Sequence, residues 1–193
     1  QLRTTTMKTW LDWFPEKDWG KMNWSPPYTH YIRKGDLDLE VIFLALDRPD
    51  DVKKLLSLEL TMIFFNESRE IAKQIIDAGT MRVGRYPSMK DGGPTWYGVI
   101  ADTNAPDEDH WWSVMSGDAP APDHFTREEI FMLVKPDNWK FFNQPAGMIE
   151  NRNKEGEVED YKVNQDAENL KNLTSKYYPN IIQGKAKSWI DVY

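Results

Sequence analysis

Two stretches of this chain end an apolar run on residues that can do chemistry. Leu60-Thr-Met-Ile-Phe-Phe65 stops abruptly at Asn66-Glu67. A carboxylate delivered to the end of a buried strand can orient and polarise a water against a phosphate. An acid or amide just before it can hold the hydration shell of Mg2+. Glu67 also fits a plainer role, a negative charge favouring the start of the helix that follows. The second stretch, Gly98-Val-Ile-Ala101, gives way to Asp102-Thr103-Asn104. The hydroxyl of Thr103 and the amide of Asn104 can sense a terminal phosphate through hydrogen bonds, and the same residues suit an Asx-type turn. In open α/β sheets ligands bind beyond the carboxyl ends of the strands, so both stretches are expected to deliver their polar residues to one edge.

A third stretch, Asp107-Glu-Asp-His110-Trp-Trp112, puts a histidine among acids. It has no second histidine within a helical turn, and His30 and His124 are far away in sequence. A capped helix start with packed tryptophans fits it better than a metal site. One motif is absent. A phosphate-binding Gly-x-x-x-x-Gly-Lys-[Ser/Thr] loop needs its Gly-Lys pair followed by Ser or Thr. Gly20-Lys21 runs on into Met22 and Gly184-Lys185 into Ala186, and neither has a glycine five positions earlier. There is no phosphate cradle of this kind in the 193 residues.

The elements that must position these residues follow from hydrophobic patterning. Met7, Trp10, Leu11 and Phe14 recur at helical spacing, which predicts a helix over 4–14 that Pro15 ends. A short strand near Tyr28–Ile32 is expected. The nearly continuous apolar run 39–46 predicts a strand covered on both faces, as in a parallel sheet. A short helix capped by Asp50 runs to about Leu56. After the strand at 60–65, a helix from about Ser68 to Asp77 is closed by Gly79. The strand at 96–101 comes third, and a fourth apolar run, Ile130 to Val134, follows. Residues 116–123 read as a mobile loop, and the strongly polar 150–172 as a lid, a lobe surface or a disordered excursion. Helical signals return at about Thr174–Gln183. The order strand–helix–strand–helix–strand argues for α/β with a mostly parallel sheet flanked by helices.

Composition bounds the function. Hydrophobic residues make up 40% of the chain, nine residues are Trp and none is Cys. Disulfide scaffolds and thiolate metal sites are therefore excluded. No apolar run approaches the roughly 18 residues of a membrane span, and no secretory signal is visible. The three Asn-x-Ser/Thr triplets, at Asn23, Asn66 and Asn172, read as chance. The formal charge of −7 is concentrated. Residues 101–130 hold eight acids against Arg127 alone, so the rest of the chain is balanced. No basic stripe of the kind that grips a nucleic-acid backbone is visible. Arg82, Arg85 and Lys90 form a small cationic cluster.

Taken together, the chain resembles the large terminase subunit of tailed bacteriophages, an ATP-driven DNA-packaging motor, in the later part of its ATPase domain. The matching stretches run along nearly the whole chain: Gln1-Leu-Arg-Thr-Thr-Thr with Lys8-Thr-Trp-Leu-Asp-Trp-Phe-Pro15; Ala45-Leu-Asp-Arg-Pro49; Phe65-Asn-Glu-Ser-Arg-Glu-Ile71; Arg82-Val-Gly-Arg-Tyr-Pro87; Asp102-Thr-Asn-Ala-Pro106 with Asp109-His-Trp-Trp112; Gln144-Pro-Ala-Gly147; and Asn169-Leu with Tyr177-Tyr178. The resemblance implies an α/β P-loop NTPase core of the additional-strand, RecA-like type, lacking its Walker A strand and loop. It implies that Thr61–Glu67 is the Walker B strand and Glu67 the water-activating glutamate. Asn66 stands where the family usually has a metal-associated Asp, and an amide supplies no charge to Mg2+. Thr103 and Asn104 match the coupling motif, which links the state of the terminal phosphate to lobe movement. Arg3, Arg82 and Arg85 fall in recurring stretches, and one of them could serve as a finger toward a neighbour's nucleotide.

On this resemblance residues 1–193 are a partial ATPase domain, with a sheet core over 1–149 and a polar excursion with C-terminal helices over 150–193. The Walker A loop would lie before Gln1 and a nuclease domain after Tyr193. The segment Ile190-Asp-Val-Tyr193 would approach the linker between them. The implied cofactors are ATP and Mg2+. The implied partners are double-stranded DNA, a small terminase subunit, a portal protein and other copies in a ring, with no membrane, in the host cytoplasm. Alone, the chain is expected to be inactive or nearly so. Two other readings use the same residues. The nine Trp and acidic charge suit a non-enzymatic interaction or carbohydrate-binding module, and Asp102, Asp107, Asp109 and His110 suit a metal nuclease.

Overall fold

Helix α1 (Thr6–Trp13) buries Met7 and lays Trp10 toward a sheet, as its apolar spacing requires. The computed structural model describes residues 2–46 and 48–186, and it divides the chain into two compact units, 1–102 and 103–193. The stretch 190–193, expected to approach a linker, lies outside the described residues.

In the first unit α1 is followed by a single turn, α2 (Glu16–Trp19), and a three-stranded antiparallel sheet. Its strands are β1 (Met22–Asn23), β2 (Tyr28–Lys34) and β3 (Leu37–Phe43). The hairpin between β2 and β3 closes through Gly35-Asp36, with Lys34 opposite Leu37. Gly35 has φ +62°, the left-handed conformation that a two-residue hairpin needs at its first position. Met7, Met22 and Phe43 form the core here, with Leu2, Trp10, Tyr28 and Val41 packed on it. His30 is fully buried between Trp10 and Gly20. The indole N–H of Trp10 can only donate, so Nδ1 of His30 accepts from it at 2.9 Å. The proton therefore sits on Nε2, which donates to the Gly20 carbonyl at 3.0 Å.

The apolar run at 39–46 is thus not a strand covered on both faces. It pairs antiparallel in β3, and residues 37–40 face water. The physical reason is legible: Asp38 and Glu40 put a charge at every second position of this end of the strand, which keeps it in water, and the strand becomes buried only towards Phe43.

The rest of the unit is built around a parallel pair. A 3-10 turn (Pro49–Asp51) leads into α3 (Val52–Leu56), then β4 (Met62–Phe65). A second 3-10 turn (Ser68–Glu70) precedes α4 (Lys73–Thr80), and β5 (Gly98–Ala101) follows. Strands β4 and β5 run parallel, with Met62 opposite Gly98 and Phe65 opposite Ala101. Phe65 of β4 and Ile75, Ile76 and Ala78 of α4 are buried, as is Leu55 of α3. Gly79 was expected to close a helix, but it lies inside α4 and is itself buried. A Cβ there would come within 2.6 Å of the Phe65 ring, so glycine lets the helix approach the strand closely. The opposite face of the pair is uncovered. Met62, Phe64 and Ile100 are 43%, 54% and 49% exposed, and Phe64 stands opposite Ile100 in the register.

The expected mostly parallel sheet therefore corresponds to one of three small sheets among the described residues. The third is a hairpin in the second unit, β6 (Met148–Arg152) with β7 (Val158–Val163), antiparallel and bulged at Asn151/Arg152. It occupies most of the polar stretch read as a lid, a lobe surface or a disordered excursion. Its turn is organised by Asn153, whose side-chain oxygen accepts the N–H groups of Glu155 and Glu157. Helices α5 (Trp111–Ser116), α6 (Arg127–Met132) and α7 (Tyr177–Ile182) complete the unit. His110 caps α5, its Nδ1 accepting from the Trp112 N–H at 3.1 Å. The apolar run at 130–134 lies largely in α6, not in a strand. A capping box decides it: Thr126 accepts from the Glu129 N–H, and the Glu129 carboxylate accepts from Thr126.

Candidate functional site

The candidate site is the carboxyl end of the β4–β5 pair. Because the strands are parallel and end together at Phe65 and Ala101, the next residues leave the sheet at one edge. On one strand these are Asn66 and Glu67, and on the other Asp102. Asn66 is exposed and Glu67 half-buried.

The chain turns sharply there. Glu67 has φ 56° and ψ 54°, left-handed for a residue with a side chain. Such a conformation costs on the order of 1–3 kcal/mol and needs support from its surroundings. The support comes from Asp102. Its backbone N–H donates to the Phe65 carbonyl at 3.0 Å, and its carbonyl accepts from Ser68 N–H at 2.8 Å. Its carboxylate oxygen Oδ1 accepts from the Glu67 N–H at 3.1 Å. Ser68 is fully buried and donates its hydroxyl to the Phe65 carbonyl at 3.2 Å. The turn is thus held from beneath by Ser68 and from the neighbouring strand by Asp102.

This geometry bears on the two plain roles open at this edge. Glu67 precedes only a three-residue 3-10 turn, and Ile71 and Ala72 are extended before α4 begins at Lys73. A helix dipole is therefore weak at Glu67. Asp102 directs its carboxylate across to Glu67 instead of folding it back into its own turn.

The remaining candidates are placed elsewhere or in the second unit. Thr103 and Asn104 follow β5 directly in the chain and open that unit, Thr103 half-buried and Asn104 exposed. Arg82 and Arg85 lie at the other end of β4. Leu60 N–H donates to the Arg82 carbonyl and Arg85 N–H to the Leu60 carbonyl, both at 3.0 Å. Leu60 and Glu67 are separated by seven residues of largely extended chain, roughly 20 Å. The structure therefore does not bring these arginines to Glu67. Arg85 donates Nε to the Met81 carbonyl at 2.9 Å, and the Nε of Arg82 is buried without a hydrogen-bond partner. Arg3 lies on the antiparallel sheet, its guanidinium 5.8 Å from the Trp24 ring and 5.7 Å from Tyr28.

At this edge the sensing role was expected of Thr103 and Asn104, and Asp102 figured only in the stretch they share and in the nuclease reading; its hold on the Glu67 turn is what the sequence left unsaid. The signal was in the register: with Phe65 opposite Ala101, Asp102 falls beside Asn66-Glu67. The fit to a nucleotide is partial. Asn66 and Glu67 offer an amide and a carboxylate at an open strand edge, suited to a hydrated cation and a water. The backbone N–H groups of Glu67 and Ser68 are spent on Asp102, so they offer no phosphate cradle. Among the described residues no three His, Asp or Glu side chains gather in a metal-binding group.

The tryptophans of the interaction-module reading divide by role. Trp10 serves the core and His30, while Trp13 is 69% exposed. Trp111 and Trp112 are half-buried and pack on each other, Trp112 also on Phe141. No helix among the described residues is long and apolar enough to cross a membrane. In comparisons with known proteins, no family model matches the chain, and no curated protein or solved structure is significantly similar to it.

Proposed function

We propose that this chain is the water-activating and coupling part of a terminase-type packaging ATPase, in which ATP hydrolysis drives double-stranded DNA into a capsid. The carrying observation is the pair of parallel strands whose carboxyl ends bring Glu67 beside Asp102, with Thr103 and Asn104 next in the chain. The P-loop NTPase fold, the ring of copies, the small subunit and the portal belong to the same reading.

In it, ATP with Mg2+ supplies the phosphate that is attacked. Glu67 accepts a proton from a water held at the strand edge. Asn66 would hydrogen-bond a water of the cation's shell through its side-chain oxygen, without the charge that an Asp would bring. Thr103 and Asn104 report on the terminal phosphate, and the phosphate cradle comes from outside these 193 residues.

The test is ATP turnover. A protein joining this chain to an in-frame Gly-x-x-x-x-Gly-Lys-[Ser/Thr] loop should hydrolyse ATP. Glu67→Gln should lower its kcat by about 100-fold or more, within the range for loss of a general base, with nucleotide binding retained. Unchanged hydrolysis in that variant removes Glu67 from the role. Robust turnover by the 193 residues alone, abolished by Glu67→Ala, overturns the claim that the cradle lies elsewhere.

A further inference from the structure

We infer that Asp102 is a positioning residue for Glu67, fixing where its carboxylate stands at the strand edge; this rests on Glu67 being the water-activating group. Three observations converge on it. Glu67 is held in a left-handed conformation, so its side chain leaves the turn in a direction that ordinary strand or helix geometry does not give. The Glu67 N–H is satisfied by a side chain of the neighbouring strand, 35 positions away. That side chain belongs to the last residue of the first unit, covalently joined to Thr103.

The three bonds of Asp102 to this turn can be separated. Two are main-chain bonds, to Phe65 and Ser68, and survive any substitution that keeps the strand. Only the bond to Glu67 uses the carboxylate. Removing the side chain therefore frees the Glu67 amide while leaving the strand ends tied. A chain in which Asp102 shifts, for example because the peptide to Thr103 is pulled, moves its bond to Glu67 with it. Asp102 is in this sense the mechanical step between the coupling residues and the carboxylate. It needs no charge for this, only a hydrogen-bond acceptor in place.

The experiment has two readouts. The first is residue-level amide exchange in the 193-residue chain. In Asp102→Ala, exchange at Glu67 should rise about fivefold, the effect of one ordinary hydrogen bond. Exchange at Ile75 and Ile76 in α4 should stay as it was. Asp102→Asn, which keeps an acceptor oxygen, should restore most of the protection. The second readout is turnover in the protein that carries the phosphate loop. There Asp102→Ala should lower kcat by about 10- to 100-fold with KM within about twofold, as for a displaced catalytic group. Asp102→Asn should recover it.

Unchanged exchange at Glu67 in Asp102→Ala overturns the positioning role. So does exchange that rises equally through α4, which marks a merely structural residue. An Asp102→Asn as damaged as Asp102→Ala overturns it too, since charge would then be what matters. If instead Glu67→Gln hydrolyses ATP normally, the water-activating reading fails, and the exchange result still decides whether Asp102 positions Glu67.

Discussion

Glu67 bears its carboxylate on a backbone conformation that glycine would adopt more readily. Replacing it with glycine removes the Cβ strain of the left-handed conformation and adds flexibility to the unfolded chain. The first effect is the larger, so Glu67→Gly should raise stability by about 0.5–1 kcal/mol. Chemical denaturation checks this, and a destabilised Glu67→Gly would show that the turn is held by the side chain after all. If Glu67 is the water-activating group, the same variant is dead in turnover, so stability and activity move in opposite directions at one position. The residue itself was legible in the sequence, because a strand-like run ending on Asn-Glu is a pattern. Its left-handed backbone and its dependence on Asp102 were not, since both arise from a contact between residues 35 positions apart. Buried His30 was equally silent: its partners come from Gly20 and from Trp10 of α1.

At the scale of elements, patterns with one dominant local cause were readable. Helix α1, the strands at 62–65 and 98–101 and helix α3 lie within the stretches expected of them, and strand β2 begins where expected but runs on to Lys34. Where two causes compete, the local one misled. Gly79 reads as a helix terminator in isolation, and only the nearness of Phe65 explains it inside α4. Gly79→Ala should gain about 1 kcal/mol of helix propensity and lose more to the clash, since overpacking costs roughly 1–3 kcal/mol. The net loss should be about 1 kcal/mol in thermal or chemical unfolding, and it should shrink in the presence of Phe65→Leu. The run at 130–134 shows the opposite failure. Thr126-x-x-Glu129 was a visible capping box, and it outweighs the apolar character that follows. Hydrogen bonds from the Thr126 backbone and hydroxyl, with the charge of His124 nearby, hold the Glu129 carboxyl below its ordinary pKa. A depressed carboxyl stabilises the folded state above its ordinary value and ceases to do so as pH falls through the folded value. The cap of α6 should therefore open in acid, below the usual glutamate range. A side-chain titration of Glu129 by NMR checks it, and Glu129→Gln should flatten the response. The hairpin β6–β7 escaped notice because a bulge breaks its alternation and its apolar residues are few.

For the molecule as a whole, the sequence suggested one mostly parallel sheet, whereas the described residues build three small sheets in two units. The net charge of −7 lies almost wholly in residues 101–130, that is, around the junction and the start of the second unit. The face of β4–β5 that carries Met62, Phe64 and Ile100 has a consequence for the whole molecule. Parallel sheets are ordinarily covered on both sides, and here one side presents a methionine, a phenylalanine and an isoleucine to water. In solution such a surface behaves as a dye trap and a sticky patch. The folded chain should enhance the fluorescence of anilinonaphthalene sulfonate without any denaturant, and light scattering should grow with protein concentration and with added sulfate. Phe64→Thr keeps a strand-forming residue and should dim the dye and reduce the scattering, leaving the melting temperature nearly unchanged. The face that stands back to back with the helix-packed core would then be the one that sets how concentrated a sample can be kept.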